Sequence, residues 1–384
     1  MPKAHPLPRV LQMGKFYPVR GGVEHVMLLL SYGLHKKRVR VDVLTVSNKE
    51  GDANKTERVF DGGVRIFLAH RLFSFLSVKF SLDLLFLARR LVKHYPLVHI
   101  HHPDPMAALA LFLARAKKKQ KIILHYHSDI VRQRLFMPLY YPLLSYLLRQ
   151  SDVIITTSPI YRDSSPYLKG YRDKIKVIPI GIAPLEEDKK LVRQIRKNFA
   201  QKKIILSVGR LIYYKGVEYL IVAAKYLPPN CVVIIIGEGP LFVEYQDLIK
   251  KEDLENKVFL LGRLEQKELA SYYAACDLFC LPSVEKSEAF GIAQVEAMSF
   301  GKPVVATNIE GSGVPWVNEH GITGLNVEPR NPQQLARAIV EILEDKKKYD
   351  TYARNAKKRY NELFTLEKMT QDVLKIYREV TDFS

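Results

Sequence analysis

Cysteine is scarce in this 384-residue chain, with only Cys231, Cys276 and Cys280 present. Three thiols cannot build a disulfide scaffold, and Cys276 and Cys280 straddle a helix-to-strand transition, which argues against a zinc site. No stretch reaches about 18 uninterrupted apolar residues, so no membrane-spanning helix is expected. The first residues show no apolar signal-peptide core, and a reducing cytoplasmic location is the expectation. Short internal repeats and low-complexity tracts are also missing, which sets aside solenoid and disordered classes. What remains is a chain long enough for two or three domains, and 47% hydrophobic residues suffice for their cores.

Acidic residues are short in one half only. Residues 1–185 carry 30 Lys and Arg against 12 Asp and Glu, net +18, whereas residues 186–384 carry 29 against 28, net +1. An excess confined to one half points to a polyanionic partner: nucleic acid, an anionic membrane or a phosphate-bearing substrate. No RNA- or DNA-binding motif accompanies the charge, so nucleic acid is not expected. Local patterning favours a membrane surface. Residues 72–87 are rich in Leu and Phe and end at Arg89, Arg90 and Lys93. Residues 135–148 are similarly apolar, contain Tyr140, Tyr141 and Tyr146, and are flanked by Arg132, Arg134 and Arg149. A further basic cluster comprises Arg115, Lys117, Lys118, Lys119 and Lys121. Apolar side chains beside basic ones suit interfacial binding, each cation adding about 1 kcal/mol near an anionic leaflet. An anionic membrane is therefore expected to engage residues 72–149, the alternative being that both apolar stretches are ordinary core helices.

Apolar strands are expected near 9–13, 40–46, 97–101, 121–125, 152–156 and 175–178, alternating with helical segments. Residues 179–188 read as a linker. A second alternation spans 202–327, followed by helices at 331–344, 346–362 and 366–381. This pattern predicts an α/β chain with doubly wound parallel sheets.

Two segments of the second half carry chemistry. In Val-Gly-Arg-Leu-Ile-Tyr-Tyr-Lys-Gly (208–216), a buried strand ends at a glycine. Arg210 and Lys215 then project beyond the strand's carboxyl end, where open α/β sheets bind ligands. A planar fork and a point charge together suit a diphosphate. In the other segment, Glu288 and Glu296 bracket a loop-to-helix junction beginning at Gly291. The first N–H groups of that helix face any anion above the strand ends, and carboxylates accept hydrogen bonds from vicinal hydroxyls. Glu288, ahead of the helix, is expected to reach deeper than Glu296 in its second turn.

In the first half, Gly21 and Gly22 follow a strand and precede a helix, allowing close backbone approach to a phosphate or acceptor. Glu24 suits the first helical turn. His99 and His101 share one face of a strand, as do His125 and His127 on another. A metal centre could be built on His101, His127 and Asp129. Otherwise His99, His101 and His125 are expected to be hydrogen-bonded strand-end residues.

Pro282-Ser283, Glu288-Ala289-Phe290-Gly291, Glu296-Ala297-Met298 and Gly301-Lys302-Pro303-Val304-Val305-Ala306 together resemble the signature of glycosyltransferase family 4. Gly311-Ser312-Gly313-Val314-Pro315 and Gly321-Ile322-Thr323-Gly324-Leu325 continue it. So do Val208-Gly209-Arg210 with Lys215-Gly216, Gly237-Glu238-Gly239-Pro240, Tyr17-Pro18 with Gly21-Gly22-Val23-Glu24, and His127-Ser128-Asp129. The resemblance covers nearly the whole chain.

It implies a GT-B fold, in which two doubly wound Rossmann-like domains face across a cleft. Residues 1–183 would form an acceptor-side domain completed by a crossover helix at 365–384, and residues 184–364 a nucleotide-sugar-binding domain. The implied reaction is retaining transfer of a hexose from a nucleoside-diphosphate sugar to a hydroxyl. The implied catalytic set is His127, Glu288, Arg210 and Lys215. Gly21, Gly22, Phe290, Gly291, Ile292 and Glu296 join Arg210, Lys215 and Glu288 in substrate binding. No cofactor or metal is implied, and the chain lacks the Asp-X-Asp pair that carries metal in the other major transferase fold.

Residues 127–133 (His-Ser-Asp-Ile-Val-Arg-Gln) and Thr157-Ser158-Pro159 are most similar to mannosyltransferase-like bacterial members that build surface polysaccharide. That points to GDP-mannose, a polyprenyl-diphosphate-linked saccharide acceptor and a peripheral position on the inner face of the cytoplasmic membrane. A UDP-sugar donor, a metal-dependent hydrolase on the histidine cluster, and a non-catalytic basic membrane- or nucleic-acid-binding protein are the alternatives.

Overall fold

Runs such as Val-Asp-Val-Leu-Thr-Val at 41–46 and Cys-Val-Val-Ile-Ile-Ile at 231–236 are buried along their whole length. A strand hidden on both faces belongs in the interior of a sheet covered by helices on each side. The computed structural model, which describes residues 9–15, 21–47, 57–75, 78–114, 120–130 and 134–382, contains two such sheets. It divides into two units, Met1–Gly181 with Leu366–Ser384, and Ile182–Thr365.

The first unit runs β1 (Val10–Met13), α1 (Gly22–Lys36), β2 (Val41–Val46), β3 (Glu57–Asp61), β4 (Val64–Ala69), β5 (Phe73–Phe75), β6 (Val78–Phe80) and α2 (Leu82–Leu91). It continues with β7 (Leu97–His102), α3 (Pro105–Ala114), β8 (Lys121–Tyr126), α4 (Met137–Gln150), β9 (Val153–Thr156), α5 (Pro159–Ser164) and β10 (Ile175–Val177). Eight strands form one sheet in the order β10-β9-β8-β7-β1-β2-β4-β3. The order reverses beside β1, which pairs in parallel with both β2 and β7.

Two features depart from a purely parallel alternation. The edge strand β3 runs antiparallel to β4. Gly62 and Gly63 connect them with φ of 55° and 81°, a two-residue hairpin turn that needs positive φ at both central positions. In addition, β5 and β6 form a separate antiparallel hairpin. Within 72–87 the described residues form two paired strands and the start of α2, not the single core helix held as an alternative.

The second unit runs α6 (Lys189–Asn198), β11 (Lys203–Val208), α7 (Val217–Ala223), β12 (Cys231–Ile236), α8 (Phe242–Lys251), β13 (Val258–Leu260), α9 (Gln266–Ala275) and β14 (Leu278–Leu281). There follow α10 (Ile292–Ser299), β15 (Val304–Thr307), α11 (Val314–Val317), β16 (Gly324–Val327), α12 (Pro332–Glu344) and α13 (Lys346–Leu363). Its six parallel strands lie in the order β13-β12-β11-β14-β15-β16. The order reverses between β11 and β14, and crevices at such reversals are where open sheets take ligands. Asp277 locks this reversal, accepting from Ile204 N–H on β11 at 2.8 Å and from both terminal nitrogens of Arg196 on α6 at 2.9 and 3.2 Å.

After Thr365 the chain returns to the first unit as α14 (Leu366–Asp382), which packs on α1. Lys37 meets Glu367 at 2.5 Å, and the fully buried Tyr377 of α14 reaches the sheet through a 2.6 Å hydrogen bond with His99 Nδ1. The three cysteines are buried free thiols. Among the described residues no helix is long and apolar enough to cross a membrane.

Candidate active site

The turn after β11 and the loop after β14 approach so closely that only glycine fits between them. Gly216 closes the short turn Tyr213–Lys215 in a left-handed conformation, φ 61°. A Cβ there would collide with the carbonyl oxygen of Pro282. Val284 N–H, just beyond, donates to Tyr214 C=O at 2.8 Å. These contacts deliver Lys215 to Glu288, with Nζ 2.5 Å from Oε2 and side chains only 16% and 10% exposed. Ser283 Oγ donates to the same carboxylate oxygen at 3.1 Å. Burial works against the Lys215 ammonium, but Glu288, Tyr214 and Glu296 outweigh it and hold its pKa above the ordinary lysine value. Lys215 is thus a permanent cation at the sheet reversal.

The backbone of Glu288 is braced from both sides. Its N–H donates to Glu285 C=O at 2.9 Å, its own carbonyl accepts from Ser312 Oγ, and Gly313 N–H donates to Ala289 C=O at 2.9 Å. Phe290 is buried against Trp316 and Phe364. Gly291 then takes φ 77°, turning the chain into α10. The N–H groups of Ile292 and Ala293 fall in the first turn, where a helix has no internal acceptors for them. Glu296, one turn on, accepts a 2.7 Å hydrogen bond from Tyr273 O–H of α9. Burial pushes the Glu296 carboxyl above its ordinary pKa, with Tyr273 and Lys215 offsetting part of the rise.

Arg210 is exposed. Its charge, with that of Lys215, opposes the burial that raises the Tyr214 hydroxyl's pKa. Among the described residues its guanidinium has no ion-pair partner. The structure therefore gathers Arg210, Lys215, Glu288 and Glu296, with Phe290–Ile292, in one electrostatic neighbourhood of the second unit.

The other candidates lie in the first unit. Gly21 and Gly22 are exposed at the start of α1, and Gly21 N–H donates to Glu24 Oε2 at 2.7 Å. Glu24 thus caps a backbone group in addition to sitting in the first turn. Tyr17-Pro18, the other part of that motif, lies outside the described residues.

His127 follows β8 and stacks on His125 with ring centres 4.1 Å apart. It belongs to a column of buried imidazoles with His99 and His101 of β7 and His125 of β8. Its Nε2 lies 3.0 Å from His101 Nδ1. Burial keeps His99, His101 and His127 well below the usual histidine pKa and brings His125 down to about 3. All four are neutral at physiological pH.

Two expectations need correcting here. Asp129 does not join His101 and His127 in a metal centre, because its Oδ1 accepts from Tyr126 O–H and Ser165 O–H, each at 2.7 Å. Among the described residues the one set of three metal-type ligands is His99, His101 and His125. Nor is His125 a hydrogen-bonded strand-end residue, since neither of its ring nitrogens has a partner.

The site also uses residues that the sequence did not single out. Tyr273 orients Glu296, and Ser283 and Ser312 hold Glu288. Ser283 and Ser312 stand inside recognised motifs, but nothing marks Tyr273 out from its neighbour Tyr272 in sequence.

An apolar surface is also present on the first unit. Phe75 of the β5–β6 hairpin meets Phe136 edge to face at 6.4 Å. Leu135 and Leu139 beside it are 92% and 81% exposed, while Leu144, Leu147 and Leu148 of the same helix are buried. Exposed Arg89, Arg90 and Arg149 lie on α2 and α4. Residues 115–119 and Arg132, which completed the expected basic clusters, fall outside the described residues, and nothing further is drawn from Arg134.

Comparison with known proteins bears on the whole chain. The family model described as Glycosyltransferase Family 4 matches residues 20–184, and that described as Glycosyl transferases group 1 matches residues 188–359. The chain is 32% identical to O-antigen chain mannosyltransferase C of Escherichia coli, over 96% of its own length and 98% of the relative's. It is 33% identical to D-rhamnosyltransferase WbpZ of Pseudomonas aeruginosa, over 93% and 92%. Among solved structures, sucrose-phosphate synthase from Thermosynechococcus elongatus superposes with a TM-score of 0.80 at 22% identity, covering 98% of this chain and all of that one. HepE of Anabaena in complex with UDP-glucose gives 0.77 at 22% identity, over 97% and 100%. These likenesses show the GT-B fold.

Glu296 offers a direct check of the site's electrostatics. Its folded pKa is raised, so the unfolded chain gives up this proton first as pH climbs past 4.5, and stability falls over that window. Glu296→Gln removes that cost and still accepts from Tyr273. Its melting temperature is expected to exceed the wild type's at pH 8, with the difference shrinking as pH approaches 4.5. A scanning fluorimetry series showing no gain at pH 8 contradicts the burial argument.

Proposed function

We propose, from the premise that this chain belongs to glycosyltransferase family 4, that it moves mannose from GDP-mannose, with retention, to a hydroxyl of a lipid-linked saccharide in surface polysaccharide or lipopolysaccharide synthesis. The observation that carries the reading is the Lys215–Glu288 pair at the β11/β14 reversal, with Arg210 and Glu296 in the same field. A nucleoside-diphosphate sugar is a ligand that needs cations and carboxylates side by side.

Bond by bond, the donor's anomeric carbon–oxygen bond breaks and negative charge builds on the departing phosphate oxygen. Lys215 and Arg210 stabilise that charge, so the catalysis is largely electrostatic preorganisation. As the diphosphate engages Lys215, the Glu288 carboxylate is released to accept hydrogen bonds from the sugar's hydroxyls. First-turn N–H groups of α10, after Phe290 and Gly291, assist with phosphate or sugar. Glu296, oriented by Tyr273, takes the ribose hydroxyls.

The acceptor oxygen bonds to the anomeric carbon on the face the phosphate leaves, and its proton passes to that phosphate. No side-chain base is then required, and the two fixed cations do at the diphosphate what a metal does elsewhere. In the first unit, His127 contacts the sugar through Nδ1, since Nε2 is taken by His101. Gly21 and Gly22 admit the acceptor or a phosphate close to the backbone.

The mannosyl donor is supported by the likeness to the Escherichia coli enzyme. A UDP-sugar is the second reading, supported by HepE, a structural neighbour solved with UDP-glucose. The exposed Leu135, Phe136, Leu139 and Phe75, on a unit that also exposes Arg89, Arg90 and Arg149, support peripheral docking on an anionic membrane, on the inner face where lipid-linked acceptors are displayed.

A thermal-shift screen of GDP, UDP and ADP with their sugars, in EDTA, tests the donor. At 100 times Kd a ligand adds about 2.7 kcal/mol to stability, and GDP-mannose is expected to give the largest shift. Should no nucleotide-sugar move the transition, the transferase reading fails. Turnover of folded Arg210→Ala is expected to drop by roughly 10²–10³, and unchanged turnover removes Arg210 from the leaving-group role. Leu135→Glu with Leu139→Glu is expected to abolish co-sedimentation with phosphatidylglycerol vesicles, whereas retained binding excludes this surface as the docking face.

A further inference from the structure

Six ring nitrogens in the buried histidine cluster have no hydrogen-bond partner: Nε2 of His99, His101 and His102, both nitrogens of His125, and Nδ1 of His127. Buried polar atoms are almost always satisfied, so such a concentration calls for a ligand that the chain does not itself supply. We propose that His99, His101 and His125 form a site for one transition-metal ion, with zinc or cobalt the best fit. It is separate from the cation pair that handles the diphosphate.

The backbone brings the three together. His99 and His101 alternate onto one face of β7, and His101 lies in register with His125 on the adjacent strand β8. One ring nitrogen of each lies within 4.8 Å of the other two. Tetrahedral zinc with bonds of about 2.0–2.1 Å holds its nitrogens roughly 3.3 Å apart. Reaching that spacing requires the three rings to turn toward one another, out of the near-parallel arrangement they have here.

For two of the three ligands, the outer contacts match how metal-binding histidines are held, with the second ring nitrogen pinned by a partner. With Nε2 free for a metal, His99 Nδ1–H donates to the Tyr377 hydroxyl oxygen at 2.6 Å and His101 Nδ1–H to His127 Nε2 at 3.0 Å. In both rings this leaves Nε2 as the open donor. The donor set also discriminates, because three neutral imidazoles suit zinc, cobalt, nickel or copper, while magnesium and calcium require oxygen ligands. Such an ion ties β7 to β8 and, through Tyr377, to α14, the helix that returns from the second unit. Its first effect is thus on the stability of the first unit.

The test uses full-length protein without a polyhistidine tag, produced in zinc-supplemented medium and assayed for metal by mass spectrometry. About one zinc per chain is expected, bound by nitrogen ligands at the stated spacing. Dipicolinate should lower the melting temperature by several degrees, and zinc, but not magnesium, should restore it. His99→Asn and His125→Asn should each hold less than a tenth of the wild-type metal. Wild-type protein that carries no zinc and shows no thermal response to it overturns the proposal. So does a full equivalent retained in both variants. If either variant misfolds, wild-type stoichiometry and zinc-dependent melting decide alone. Neither readout involves sugar transfer, so the outcome is independent of the donor and acceptor.

Discussion

The second unit's candidate site depends on one steric constraint, the close passage of the turn at Gly216 beneath the carbonyl of Pro282. Strands β11 and β14 are direct neighbours, so the segments leaving their carboxyl ends must pass each other within a single strand spacing. A residue bearing a Cβ at 216 would push them apart and separate Lys215 from Glu288. The left-handed φ at Gly216 and Gly291 then sets the directions in which α7 and α10 depart. What looks like a local glycine requirement determines whether a cation and a carboxylate meet at all.

The energetic consequence is a site that holds charge where charge is costly. Lys215 keeps its proton only because Glu288, Tyr214 and Glu296 together outweigh its burial. Glu296 sits above its ordinary pKa because its partners compensate burial incompletely. Buried ion pairs contribute little net stability, and such perturbed groups cluster where function needs them.

The first unit solves a different problem with the same type of sheet. Its order reverses beside β1, and the strand ends next to that reversal carry a column of neutral imidazoles beside charged groups such as Lys15 and Asp104. Exposed arginines lie on α2 and α4, and exposed Phe86 shares α2 with Arg89 and Arg90.

Much of this was legible in the residues. The continuous apolar runs announced the buried strands, and the spacing of glycine, arginine, lysine and glutamate announced cations and carboxylates gathered at strand ends. The Asp61-Gly62-Gly63 turn that makes β3 antiparallel was also present, but it is a short signal beside a long parallel pattern. Residue type, strand propensity and the need for positive φ are local properties, and the sequence by itself determined them. The partnerships were not local. Glu296 with Tyr273, Glu288 with Ser283 and Ser312, His99 with Tyr377, and the stacking of His101 on His125 all join residues from different elements. They depend on which strands lie side by side and which helix covers them, and that is decided only when the whole core packs.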